Sequence, residues 1–313
     1  MKHRVIMDCD TGRDDAIAIA LAIASPDEID LIGITAVAGN TPLHLTERNA
    51  RFVCELCGKT DARVYRGADR PLMRPLVTAE HAHGKTGIEG VAVRDPQLAS
   101  GPGHAVDFVI EVLREAPDDT VTLVSTGPLT NVALLAIKAP QLLPKVKQIV
   151  LMGGARVAGG NVTPVSEFNI HVDPHAAKVV FNCGRPIVAF GLDVTYRVLA
   201  QPAHRQALLA SRSSAARALA PIFTQMPGSN KERIGVDVVP MHDPCTIAWL
   251  IRPDLFRTKH VNVDVEVQGE LTCGETVVDF WRATGRPPNT QWAHDVDGPA
   301  VLDFIVSRLS SLP

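Results

Sequence analysis

The sequence predicts an α/β fold: one large domain, residues 1–313, on a mostly parallel, doubly wound sheet with an antiparallel addition at one edge. Three observations predict it. Short apolar, β-type runs alternate with helical patterns as far as Phe190, the alternation that produces parallel sheets with right-handed crossovers. Polar and acidic residues fall repeatedly just after those runs, where open α/β sheets place ligands. A late stretch, Val261 to Val267, alternates apolar and polar residues and can pair with Glu275 to Phe280 as an antiparallel edge.

The elements follow in order. Val5 to Met7 reads as a buried strand and Ala16 onward as an Ala- and Ile-rich helix. Ile29 to Val37 is the second strand, ending in Ala38-Gly39-Asn40, and Leu43 to Leu56 has helical periodicity. Asp61 to Tyr65 suggests a short strand. Arg70 to Asp95, rich in Pro, Gly and His, has no long apolar run and reads as a functional loop centred on His81 to Gly90. Ala105 to Arg114 is a helix, Thr120 to Val124 a strand, and Val132 to Lys138 a helix. Lys147 to Met152 is a strand, and Gly159 to Asp173 a second polar loop. Pro174 opens a helix to Asn182. Pro186 to Phe190 is a strand, Gln201 to about Gln225 a long Ala-rich helix, and Pro227 to Val239 a mixed polar segment. Thr246 to Leu250 and Leu302 to Leu309 are helices. No repeat or linker divides the chain.

Composition excludes several classes. With 46% hydrophobic and 21% charged residues the chain can bury a sizeable core. A net charge of −3 gives no electrostatic case for nucleic acid, and 4% aromatics gives no base-stacking platform. No signal-peptide pattern and no bilayer-spanning apolar run is expected. Six scattered cysteines fit a reducing cytoplasm. Cys54 and Cys57 have CxxC spacing, but they lie in a helical pattern without a second pair.

The richest stretch is Asp8-Cys9-Asp10-Thr11-Gly12-Arg13-Asp14-Asp15, four carboxylates in eight residues on a strand-to-helix turn. One or two acids there could merely cap the helix. Four repel one another, and a bound cation relieves the repulsion. Oxygen-only donors without nearby His or Cys favour a hard ion, calcium or magnesium. Asn40, Thr126, Asn161, Glu167 and Asn169 follow later strands, and His242 and Asp243 open a late helix. Acids for water activation, amides and carboxylates for a polyhydroxyl ligand, and a histidine for proton transfer form a coherent set.

The acidic stretch resembles the signature Asp-x-Asp-Pro-Gly-x-Asp-Asp of the inosine-uridine preferring nucleoside hydrolases, with Thr11 in place of the usual Pro. Four more stretches resemble that family in the same order: Val37-Ala38-Gly39-Asn40, His83-Gly84-Lys85-Thr86-Gly87, Glu167-Phe168-Asn169-Ile170 with Asp173-Pro174, and His242-Asp243-Pro244. The resemblance implies a Rossmann-like nucleoside hydrolase fold and calcium-dependent hydrolysis of the N-glycosidic bond of ribonucleosides to ribose and free base. It implies Asp10, Asp15, Asp243 and the Thr126 carbonyl as Ca2+ ligands, and Asp10 also as the base that deprotonates the attacking water. Asp14, Asn161, Glu167 and Asn169 resemble the ribose-binding groups, with Asn40 beside them. His242 matches the acid that protonates the leaving base, His83 a residue near the base pocket, and Asp8 a supporting group around the metal. A homodimer or homotetramer in the cytoplasm is expected. Base preference is not readable: Pro227 to Pro240, expected to border the base, holds no Tyr or Trp to stack a purine.

Two rival functions fit the sequence less well. The DxDx[TV] signature of haloacid dehalogenase-type phosphatases fails, because the fifth position here is Gly12 and Thr11 arrives one residue early. A non-catalytic nucleoside or pentose binder would not need Asp10 and His242 alongside a full metal set. An EF-hand is excluded by acid spacing and the missing terminal Glu.

Overall fold

A computed structural model describes residues 2–224 and 238–313. The first half lays down β1 (His3–Cys9), α1 (Arg13–Ile23), β2 (Ile29–Ala36), α2 (Leu43–Leu56), β3 (Val64–Arg66), α3 (Glu80–His83), α4 (Ala105–Glu115), β4 (Val121–Ser125), α5 (Thr130–Lys138) and β5 (Val146–Met152). Then come α6 (Phe168–Val172), α7 (Pro174–Phe181), β6 (Ile187–Phe190), α8 (Leu192–Thr195), β7 (Leu199–Ala200), α9 (Pro202–Ala210) and α10 (Ser214–Leu219). Beyond residue 237 follow β8 (Val239–Pro240), α11 (Pro244–Ile251), β9 (Phe256–Val265), β10 (Thr276–Asp279), β11 (Thr290–Val296) and α12 (Gly298–Leu309).

Nine strands form one sheet in the order β10-β9-β11-β6-β5-β4-β1-β2-β3. Every neighbouring pair from β11 to β3 is parallel, and β9 pairs antiparallel with both β11 and β10. The chain winds outward from β1 to β3, then restarts at β4 on the other side of β1. The crevice between β1 and β4 is therefore the topological switch point. Strand alternation feeds two cores: Val5, Met7 and Cys9 point into one, Ile6 into the other. Helix α1 is buried almost all round, from Ala16 to Ala22, which explains its Ala-rich composition.

The α/β class, the mostly parallel sheet and the antiparallel addition match expectation. The β9–β10 pairing aligns Val265 with Thr276. Three details differ. The expected helix from Gln201 breaks at Ser211-Arg212-Ser213, where the Ser213 hydroxyl accepts from the Ala216 N–H at 3.0 Å and starts α10. Serine offers the backbone an alternative partner, and Pro221 then tightens the chain into a 3₁₀ turn over Ala220–Phe223. Both polar loops carry a short helix, α3 and α6. Strand β11 had no counterpart in the reading; Trp292 and Ala293 are buried within otherwise polar sequence.

Cys9, Cys54, Cys57 and Cys245 are buried free thiols, and Cys183 and Cys273 are partly exposed. Burial pushes the Cys57 thiol up to about 12. Among the described residues no helix is long and apolar enough to cross a membrane.

Candidate active site

The turn after β1 carries the acids, and glycines after the neighbouring strands β2 and β4 make room for them. A Cβ at Gly39 or Gly127 would overlap the Asp10 carboxylate. Asp10 is fully buried; its Oδ2 accepts the Asn40 N–H at 2.7 Å and its backbone carbonyl accepts Asn40 Nδ2 at 3.2 Å. Its Oδ1 has no hydrogen-bond partner among the described residues. Asp15, in the first turn of α1, accepts from Gly12 N at 2.8 Å, from Asn40 Nδ2 at 3.2 Å and from the Thr126 hydroxyl at 2.7 Å. Asp243 precedes Pro244 at the start of α11, yet its carboxylate makes no cap bond to that helix. Capping therefore does not account for it.

Asp14, Asp15 and Asp243 each place an oxygen within 4.8 Å of the others. Asp10 stands beside this trio rather than in it, so the acid drawn into the cluster beyond expectation is Asp14. Burial, followed by neighbouring carboxylates, raises Asp10 and Asp243 well above the ordinary carboxylate range and Asp15 to about 7. Asp15 and Asp243 are close enough to share a proton. Oxygen donors that repel one another, one without a partner, form a cage suited to a hard divalent cation.

Glu167 closes the next wall. It caps α6, accepting from Gly154 N at 2.9 Å, Asn169 N at 3.0 Å and Ile170 N at 3.2 Å, and burial raises it to about 7. Asn169 Nδ2 donates to the Thr126 carbonyl at 2.9 Å and the Met152 carbonyl at 3.1 Å. Asn161 Oδ1 accepts from Phe168 N at 2.8 Å. These three residues both order their loop and line the cavity. The Thr126 carbonyl keeps a second lone pair free.

In the same cavity, His242 Nδ1 meets the Thr195 hydroxyl at 2.7 Å, and its ring contacts Tyr196 edge-on at 5.4 Å. Burial lowers His242 below the ordinary imidazole value, against the pull of Asp14. His83 Nδ1 accepts from Arg13 N at 3.1 Å, and burial takes it down to about 4.

A cavity of about 180 Å³ is lined by Asp14, Asn40, His83, Thr126, Asn161, Glu167, Asn169, His242 and Asp243. Asp10 lies beneath it. Asp8 faces elsewhere: its carboxylate accepts from Thr35 at 2.6 Å, Asn131 at 2.8 Å and Ser125 at 3.4 Å, bracing the strand ends, and burial raises it to about 6. Of the stretch Pro227 to Pro240, residues 227–237 lie outside the described residues, while Val238, Val239 and Pro240 line the cavity. His81 also lines it, whereas Lys85 is exposed and does not.

The sequence reading missed Arg13 and Thr195. Arg13 donates through Nη2 to the carbonyls of Pro221, Ile222 and Thr224 at 3.2, 2.9 and 2.5 Å, tying the 3₁₀ turn to α1. Its place inside the acidic signature was the available signal. Thr195 offered none, because only folding brings it to His242.

Comparisons with known proteins agree with this geometry. The model of the family described as inosine-uridine preferring nucleoside hydrolase matches residues 5–303. The chain is 45% identical over 307 residues to a protein of Enterobacter sp. (strain 638) named pyrimidine-specific ribonucleoside hydrolase RihA, covering 98% of this chain and 97% of that one. The solved purine-preferring ribonucleoside hydrolase from Gardnerella vaginalis superposes with a TM-score of 0.90 at 32% identity, covering 98% of each chain. A plant nucleoside hydrolase superposes with a TM-score of 0.90 at 29% identity, covering 99% of each.

Proposed function

This chain belongs to the inosine-uridine preferring nucleoside hydrolase family and is a ribonucleoside hydrolase, an N-glycosidase; on that premise we propose a calcium-dependent reaction with Asp10 as base and His242 as the acid toward the leaving base. The observation that carries this reading is the convergence of two chemistries on one cavity. Buried acids, with Asp10 Oδ1 unpartnered among the described residues, adjoin a cavity that is also lined by a histidine whose Nδ1 is already engaged.

Asp10, Asp15, Asp243 and the Thr126 carbonyl would hold the Ca2+, and Asp14, grouped with Asp15 and Asp243, adds a further oxygen within reach. When bound, a divalent cation supplies positive charge that draws these carboxyls back to their ionised form, acidifies a water and anchors the ribose diol. Asp10 takes a proton from the attacking water. Asp14, Asn161, Glu167 and Asn169 hold the ribose hydroxyls, with Asn40 bracing Asp10 and Asp15. As the C–N bond lengthens the sugar gains oxocarbenium character, which the acid floor stabilises, while negative charge on the base turns toward His242. His83 lies on the wall near the base. The greater identity to the pyrimidine-specific relative supports pyrimidine ribonucleosides as the preferred substrates.

The test is initial rates on uridine, cytidine, inosine and adenosine, after chelation and after return of calcium or magnesium. Expected are faster pyrimidine turnover, loss on chelation and recovery with calcium. Turnover indifferent to chelation removes the metal. Tight nucleoside binding without ribose release would favour a binder on the same scaffold. Light scattering on the same sample checks the expected homo-oligomer.

A further inference from the structure

We propose that Thr195 is a positioning residue that holds His242 as its Nε2–H tautomer, so that a neutral imidazole presents an N–H to the departing base. The inference rests on the proposed placement of His242 at the leaving base and narrows its role there from proton donor to hydrogen-bond donor.

The argument starts from the single proton of a hydroxyl. Thr195 is fully buried, and its Oγ1 makes one hydrogen bond among the described residues, to His242 Nδ1 at 2.7 Å. A buried hydroxyl donates its proton where an acceptor exists, and a threonine near the end of a helix usually turns to the carbonyl of the preceding turn. No such bond forms here: the Gly191 carbonyl takes the Thr195 backbone N–H at 3.2 Å instead. The hydroxyl proton therefore goes to Nδ1, which must be unprotonated to accept it. The ring proton then sits on Nε2. His242 lines the cavity, and its Nε2 has no partner among the described residues.

The surroundings hold both partners in place. The Asp193 carboxylate accepts three consecutive N–H groups, Arg156, Val157 and Ala158, at 2.8, 2.7 and 3.0 Å. Leu192 N donates to the Gly154 carbonyl at 2.9 Å, so α8 is fastened to the loop after β5. Met241 N donates to the Val198 carbonyl at 2.9 Å, which ties the backbone beside His242 to the segment that carries Thr195. Backbone and ring of His242 are thus anchored to one short stretch, and the Tyr196 contact limits rotation of the ring.

In the reaction the electron pair of the C–N bond leaves with the base. The His242 Nε2–H hydrogen-bonds to the charge that develops there, and the base takes its proton from solvent after release. The imidazole returns unchanged, with no imidazolate formed.

The test combines a spectrum with kinetics. In protein labelled with 15N-histidine, long-range 1H–15N correlation, assigned by comparison with His242→Gln, is expected to show His242 Nδ1 as the unprotonated nitrogen and Nε2 as the protonated one. Thr195→Val is expected to mix the tautomers and to lower kcat on uridine about 10-fold or more, a fraction of what a leaving-group acid supplies. KM should change little, the loss on p-nitrophenyl riboside should stay under about threefold, and Thr195→Ser should restore both readouts. A protonated Nδ1 in the wild-type protein overturns the proposal, as does equal loss on both substrates in the Val and Ser variants. If His242→Gln loses equally on both substrates while the wild-type tautomer is as expected, the leaving-group role of His242 falls and the Thr195 assignment stands.

Discussion

At the scale of single residues, the acids divide by what their oxygens touch. Asp8 spends both oxygens on strand ends, whereas Asp10 keeps Oδ1 free of partners among the described residues. Asp10→Asn preserves size and an acceptor for Asn40 N but cannot take a proton. It should lower kcat by about 10² to 10⁴ with the circular dichroism spectrum unchanged. Near-normal turnover in that folded variant would strip Asp10 of the role of base. The acidic stretch was legible because four like charges in a row demand an explanation beyond capping. Asp243 was legible through its place in His242-Asp243-Pro244, and its carboxylate makes no cap bond to α11. Thr195 was not legible, because its partner lies 47 residues away and is met only through the packing of α8.

At the scale of elements, short apolar runs and helical patterns located β1, β2, β4, β5 and β6 with their helices because buried parallel strands are continuously apolar. β11 escaped because only part of it faces a core and its remaining residues are polar. The break between α9 and α10 escaped because Ala-rich periodicity runs across it, while Ser213 decides where α10 starts. That cap can be tested alone. Ser213→Ala removes the acceptor for Ala216 N and should cost about 1 kcal/mol of unfolding free energy, read from denaturant curves. Since Ser213 does not line the cavity, kcat and KM on uridine should be unchanged. A kinetic effect would mean that α10 reaches the site through the 3₁₀ turn held by Arg13.

At the scale of the whole molecule, the buried acids make the site a strain on the fold. Asp15 and Glu167 are raised to about 7, against about 4 in an unfolded chain. A raised carboxyl contributes stability that is full below about pH 4 and is lost as pH climbs through the folded value. The histidines with lowered values, His83 among them, oppose this fall near pH 6.5, where an unfolded imidazole is half protonated, and contribute little above about pH 7.5, while Asp10 and Asp243, raised further than Asp15, continue it. The melting temperature of the chelated protein should therefore fall between pH 6.5 and 8. Added calcium should raise it more at pH 8 than at 6.5, because ligands must be ionised to bind. A melting temperature that is flat across this range, with or without calcium, would count against a strained acid floor.

The sealed sulfhydryls of this chain make it its own unfolding clock. Four of six are buried, Cys54 on α2 and Cys57 just past its end among them, and only Cys183 and Cys273 are within partial reach of solvent. A brief pulse of an alkylating reagent, followed by intact-mass spectrometry, should tag at most two sites per native molecule and all six once the core opens. The fraction carrying the higher mass then reports global opening directly, without a dye, a fusion or an engineered reporter.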